Sequence, residues 1–123
     1  MTPRSSLFAG ALALFTGVGT GAFGAHGLKA HVGSDLLAVW ETAVLYQLVH
    51  GLGLLAVVAC SAHLNVRLQG WACTLLTAGI LVFSGSLYIL VLSGSHWLGA
   101  ITPLGGLAFM GGWALLALAA LKR

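Results

Sequence analysis

Charge is what this chain has least of. Of its 123 residues 6% are charged, with five Lys or Arg and two Asp or Glu. An ordinary soluble domain carries about 25%, so these residues cannot cover a water-facing surface. The basic residues are too few and too scattered for a nucleic-acid patch, although the net charge is +3. The two carboxylates, Asp35 and Glu41, lie six residues apart near one predicted helix start, which is weak material for acid–base catalysis. No Ser-His-Asp arrangement is inferable. Cysteine is equally sparse. Cys60 and Cys73 fall near a predicted cytoplasmic face, where a reducing compartment disfavours a disulfide. Cys60, His63 and Cys73 lack the fourth ligand that a structural metal site requires. Neither an enzyme, a metal nor a cofactor is expected.

What is abundant is apolar: 59% of residues, with a mean hydropathy of +1.05. Four apolar segments, at about 6–26, 36–60, 68–93 and 103–121, are separated by short polar loops. About 20 residues rising 1.5 Å each cross a ~30 Å hydrocarbon core. The expected fold is all-α: a single integral membrane domain over residues 1–123, built as a four-helix up-down bundle. Arg4, Arg67, Lys122 and Arg123 share one side and Lys29 alone marks the other, which places both termini in the cytoplasm. Trp40 and Trp97 are then expected at the outer interface, Trp71 at the inner one, and Trp113 between helices near mid-membrane.

The first segment has two misleading features. Arg4 before an apolar run, with small residues at Ala22 to Ala25, resembles a secretory leader, but three further spans follow. Gly19-x-Gly21-x-x-Gly24 matches the dinucleotide fingerprint as a string, but no strand precedes it. Helix packing explains these glycines better. Ala9, Ala13, Gly17, Gly21 and Ala25 recur every four residues as a small-residue stripe for close helix approach. Gly85 and Gly112 are assigned the same packing role on the third and fourth segments. Ser34 or Asp35 is the expected N-cap of segment two, and Thr102 with Pro103 that of segment four.

The most informative stretch is Trp40 to His50, WETAVLYQLVH. Polar side chains this deep in a bilayer are costly and need a partner or a task. At 100° per residue Ala43, Gln47, His50 and Leu54 share one face with Tyr46 on its flank, and Leu45, Leu48, Leu52 and Leu55 lie opposite, toward lipid. Glu41 sits near the helix start, where the dipole stabilises a carboxylate. His26 and His31 could join Asp35 and Glu41 in an outer metal or proton site, although loop histidines are ordinarily just solvated. The outer halves of the segments also collect Thr16, Thr20, Thr42, Ser84, Ser86 and Tyr88. These residues point to a small polar pocket, reached from outside, with His50 and Gln47 at its floor. Its candidate ligand- or proton-binding residues are His50, Gln47, Tyr46, Glu41, Ser84, Ser86, Tyr88 and His26. The plainer alternative is interhelical hydrogen bonding, at roughly 0.6 kcal/mol each.

Four ordered motifs carry a resemblance: GAFGAHGL at 21–28, W-x-x-A-x-x-Y-Q-x-x-H at 40–50, FSGSLY at 83–88, and TPLGG followed by GW at 102–113. Over nearly its whole length the chain resembles the YgdD-like family of small four-helix membrane proteins, a domain of unknown function. The resemblance implies a four-span fold in a bacterial inner (plasma) membrane, and it assigns no reaction. The expected function is that of a non-enzymatic protein of the lipid bilayer acting through helix packing, as a homo-oligomer or a subunit of a larger membrane complex. The alternative is binding or transport of a small ligand, ion or proton through the polar pocket.

Overall fold

The computed structural model describes residues 1–122 and is helical throughout; Arg123, counted above among the flanking bases, lies outside the described residues. Helix α1 spans Pro3–His26 and α2 spans Ser34–Ala59. Helix α3 spans Val66–Ser93, with a π-helical turn at Ile80–Ser84 in its middle. Helix α4 spans Thr102–Leu121. Short 3-10 turns at Leu28–Ala30, Ser61–His63 and His96–Ala100 make the connections. All four helices are long and apolar enough to cross a membrane.

The helices are antiparallel neighbours. Down the α1–α2 seam Gly10 meets Gly51, Gly17 meets Leu48, and Gly24 meets Trp40. α2 packs on α3, and α4 packs mainly on α3, so α1 and α4 lie at opposite ends of the bundle. The half of the core nearer the chain termini joins Leu54 and Val57 of α2 to Cys73 and Leu76 of α3. The half nearer the α1–α2 turn is built from Trp40, Leu90, Val91, Leu98 and Leu28.

Several local expectations are corrected. The buried stripe of α1 is Ser6, Gly10, Ala13, Gly17 and Gly24, with heptad rather than four-residue spacing. Four residues advance 400°, so a strict four-residue row winds off a facing helix; a 3.5-residue period stays on it. Ala25 is therefore exposed, and Ala9 and Gly21 are half-buried. Leu48 and Leu55 of α2, expected in lipid, lie against Gly17 and Gly10; Leu45 and Leu52 are the exposed pair. Trp40 is not an interfacial belt residue but is buried at 4% exposure. Trp113 lies at the bundle surface, its ring edge over Gly53. Gly33, without a side-chain bond, caps α2, and Thr102 is the first residue of α4 rather than its cap. Gly85 faces open space and makes no close approach. Gly112 does make a close approach, a Cβ there lying 2.8 Å from Leu76 Cδ2, and so does Gly105, against the Phe83 backbone.

Candidate functional site

The α2 motif holds three helices together. Trp40 Nε1 donates to Thr20 O of α1 at 2.8 Å, and its indole lies over Gly24, where a Cβ would come within 2.6 Å of it. Two turns on, Gln47 Nε2 donates to Ala13 O at 2.9 Å and to Thr16 Oγ1 at 2.8 Å. Gln47 Oε1 accepts from Tyr88 Oη of α3 at 2.5 Å, and Tyr88 Oη also pairs with Thr20 Oγ1 at 3.0 Å. One amide thus ties α1, α2 and α3 together at mid-membrane.

The FSGSLY motif works from α3. The π turn places Ser84 so that Oγ donates to Ala43 O of α2 at 2.7 Å. Ala43 is fully buried, and its small side chain leaves that carbonyl reachable. Two residues later Ser86 Oγ pairs with Thr102 Oγ1 at 2.6 Å, at the start of α4. The two serines therefore bind different neighbours, while Gly85 between them borders a cavity.

That cavity, of about 510 Å³, is a groove between α1 and α3 with α2 behind it. Phe8, Leu12 and Leu81 form its lips, and Gln47, Ser84 and Tyr88 lie deeper. Its walls are overwhelmingly apolar.

His50 does not reach it. His50 is buried at 6% exposure and faces the α4 side of α2. Its ring stacks on Phe109 at 3.7 Å, with Tyr46 at 5.9 Å and Trp113 at 5.7 Å between ring centroids. Nδ1 lies 2.9 Å from Tyr46 O. The expected common floor of Gln47 and His50 is thus divided: α2 sends Gln47 toward α1 and His50 toward α4. Glu41 and His26 are exposed near the outer end, apart from both places, as are His31 and Asp35. Among the described residues no three His, Cys, Asp or Glu side chains gather as a metal site.

Thr16 and Thr20, grouped by the sequence with the polar residues but outside its candidate set, are both bonded in this network, Thr20 to Tyr88 and Trp40. Sequence reasoning passed over Gln69, buried near the α2–α3 turn, which donates to Ser61 Oγ at 2.7 Å. The spacing of Thr16 and Thr20, one turn apart on the face carrying Gly17, marks them as a pair on the α2-facing side.

Residues 20–106 match the family described as Protein of unknown function (DUF423). A UPF0382 membrane protein of Staphylococcus haemolyticus is 50% identical over 115 residues, covering 92% of each chain. UPF0382 membrane protein YwdK of Bacillus subtilis is 46% identical over 117 residues, covering 92% of this chain and 93% of the relative. No solved structure matches.

Proposed function

The chain belongs to the DUF423 family of unknown function, whose relatives named above are membrane proteins, and on that footing we propose that it binds the apolar chain of a bilayer amphiphile. The observation that carries this reading is the groove of about 510 Å³ between α1 and α3. Its size falls within the ~300–1,000 Å³ of small-molecule sites. The polar side chains bordering it favour a hydrocarbon occupant over an ion or proton. Thr16, Thr20, Gln47, Ser84 and Tyr88 all direct their hydrogen bonds into the protein, so a polar solute would have to break them. The network holds the groove open by fixing α1 against α3 through α2.

Gly85 supplies the test. It borders the groove, has ordinary helical dihedrals and has nothing within 4 Å of a Cβ. Gly85→Leu starts from a Cβ in open space and extends its side chain into the groove. Native mass spectrometry from mild detergent is expected to show a retained amphiphile on the wild type and none on Gly85→Leu. No retained mass on the wild type, or an equal one on both, overturns the reading.

A homo-oligomer or a subunit of a larger complex is a second reading, with both termini in the cytoplasm and the narrower YgdD-like relationship retained. Its support is that α1 and α4 each bury one stripe only. Phe8 and Phe15 remain exposed on one, and Leu107 and Met110 on the other. The same spectrum reports subunit number.

A further inference from the structure

Once the interhelical bonds are assigned, three polar atoms on the α4 side of α2 are left over. Tyr46 O accepts from His50 Nδ1. A carbonyl can only accept, so Nδ1 carries the proton and Nε2 of the neutral ring is a bare acceptor. His50 Nε2 has no partner among the described residues. It is also not fully enclosed, since every fully enclosed polar side-chain atom among them is paired. The Tyr46 hydroxyl and the Trp113 indole N–H are likewise without a side-chain or backbone partner among the described residues, although Tyr88 and Trp40 of the α1 side both have one. Tyr46 and Trp113 are each partly exposed, at 39% and 37%, so neither side chain is sealed in the core.

Depth narrows what can enter. His50 lies nine residues before Ala59, the nearer end of a 26-residue helix, about 14 Å in at 1.5 Å per residue. That level is within the ~30 Å hydrocarbon core and not among the headgroups. Unpaired polar groups in hydrocarbon are costly, so a suitable occupant dissolves in the bilayer interior and brings its own hydrogen-bonding group. Nε2 requires a donor, and the indole N–H requires an acceptor. A hydroxyl is both. The surrounding faces are flat rings, which favour a planar partner.

We propose that the aromatic face where α2 meets α4 is a second site, for a planar, bilayer-soluble phenol or quinol whose hydroxyl donates to His50 Nε2 and whose ring lies against Tyr46 and Trp113. It is separate from the α1–α3 groove and does not depend on it.

Calorimetric titration of protein-loaded and empty nanodiscs tests this, with 2-naphthol and 2-methoxynaphthalene as probes. After lipid partitioning is subtracted, 2-naphthol is expected to saturate at one per chain. The methyl ether, which lacks the donor, should bind at least tenfold more weakly. His50→Phe keeps the stack on Phe109 and should weaken naphthol binding at least tenfold. Trp113→Phe, at the bundle surface, should weaken it several-fold. Gly85→Leu should leave it unchanged. Equal binding of the two probes to the wild-type protein overturns the proposal, whatever the variants do. So does full binding by His50→Phe, or loss of binding in Gly85→Leu alone, which would assign the probe to the groove.

Discussion

Tyr88 Oη donates to Gln47 Oε1 at 2.5 Å, across residues 41 positions apart in sequence. Both Gln47 amide hydrogens are already committed to α1. Every hydrogen-bonding group of that amide is therefore occupied, and the removal of any one partner strands another at mid-membrane.

Tyr88→Phe leaves Gln47 Oε1 unpaired and frees Thr20. It should destabilise the protein by about 1–2 kcal/mol, above the ~0.6 kcal/mol typical of membrane hydrogen bonds. Gln47→Leu in the same background should add less than it does alone, because the pair acts as a unit. Reversible unfolding in mixed micelles, run as a double-mutant cycle, measures the coupling. Strict additivity would show the bond to be energetically idle.

Two glycines on α3 and α4 should respond oppositely to one methyl group. At Gly105 a Cβ would run into the Phe83 backbone, so Gly105→Ala must separate the helices and should cost roughly 1–3 kcal/mol. At Gly85 the space is open, and Gly85→Ala should be neutral or stabilising by up to about 1 kcal/mol. Thermal unfolding of both variants in one detergent decides the sign.

His50 and Phe109 form a stack whose two members should not be equally expendable. His50→Phe retains the ring and should change stability by less than about 1 kcal/mol. Phe109→Ala opens a void beside Gly79 and His50. It should cost roughly 2–3 kcal/mol, below the ~3–5 kcal/mol of soluble cores because lipid is as apolar as the interior. Comparable losses in both would show that the imidazole itself supports the fold.

The two thiols report orientation. Cys60 is exposed at the inner-end turn and Cys73 is buried. With cytoplasmic termini, a membrane-impermeant maleimide should label Cys60 in inverted vesicles and leave it unmodified in intact cells. Cys73 should stay unmodified in both until the protein is unfolded. Labelling of Cys60 from outside would reverse the topology.

The class was legible without coordinates because it depends on sums. A 6% charged chain has no soluble alternative, and four apolar runs near twenty residues long have one stable form in lipid. The shared face of Ala43, Gln47, His50 and Leu54 was legible too, since all four are buried and a helical period assigns a face. What the wheel could not supply was which neighbour each residue meets. Gln47 and His50 are 60° apart on α2, close enough to look like one site, yet α1 lies on one side of that angle and α4 on the other. Trp40 and Gly85 were misread for the same reason: burial of an indole and space beside a glycine belong to the facing helix, not to their own. Composition and period determined that four apolar helices form and that Ala43, Gln47, His50 and Leu54 of α2 turn inward. Only the packing of one helix on another, whose interhelical contacts are long-range in sequence, decided that the polar residues of α2 divide between a hydrogen-bonded network with α1 and α3 and an aromatic cluster against α4.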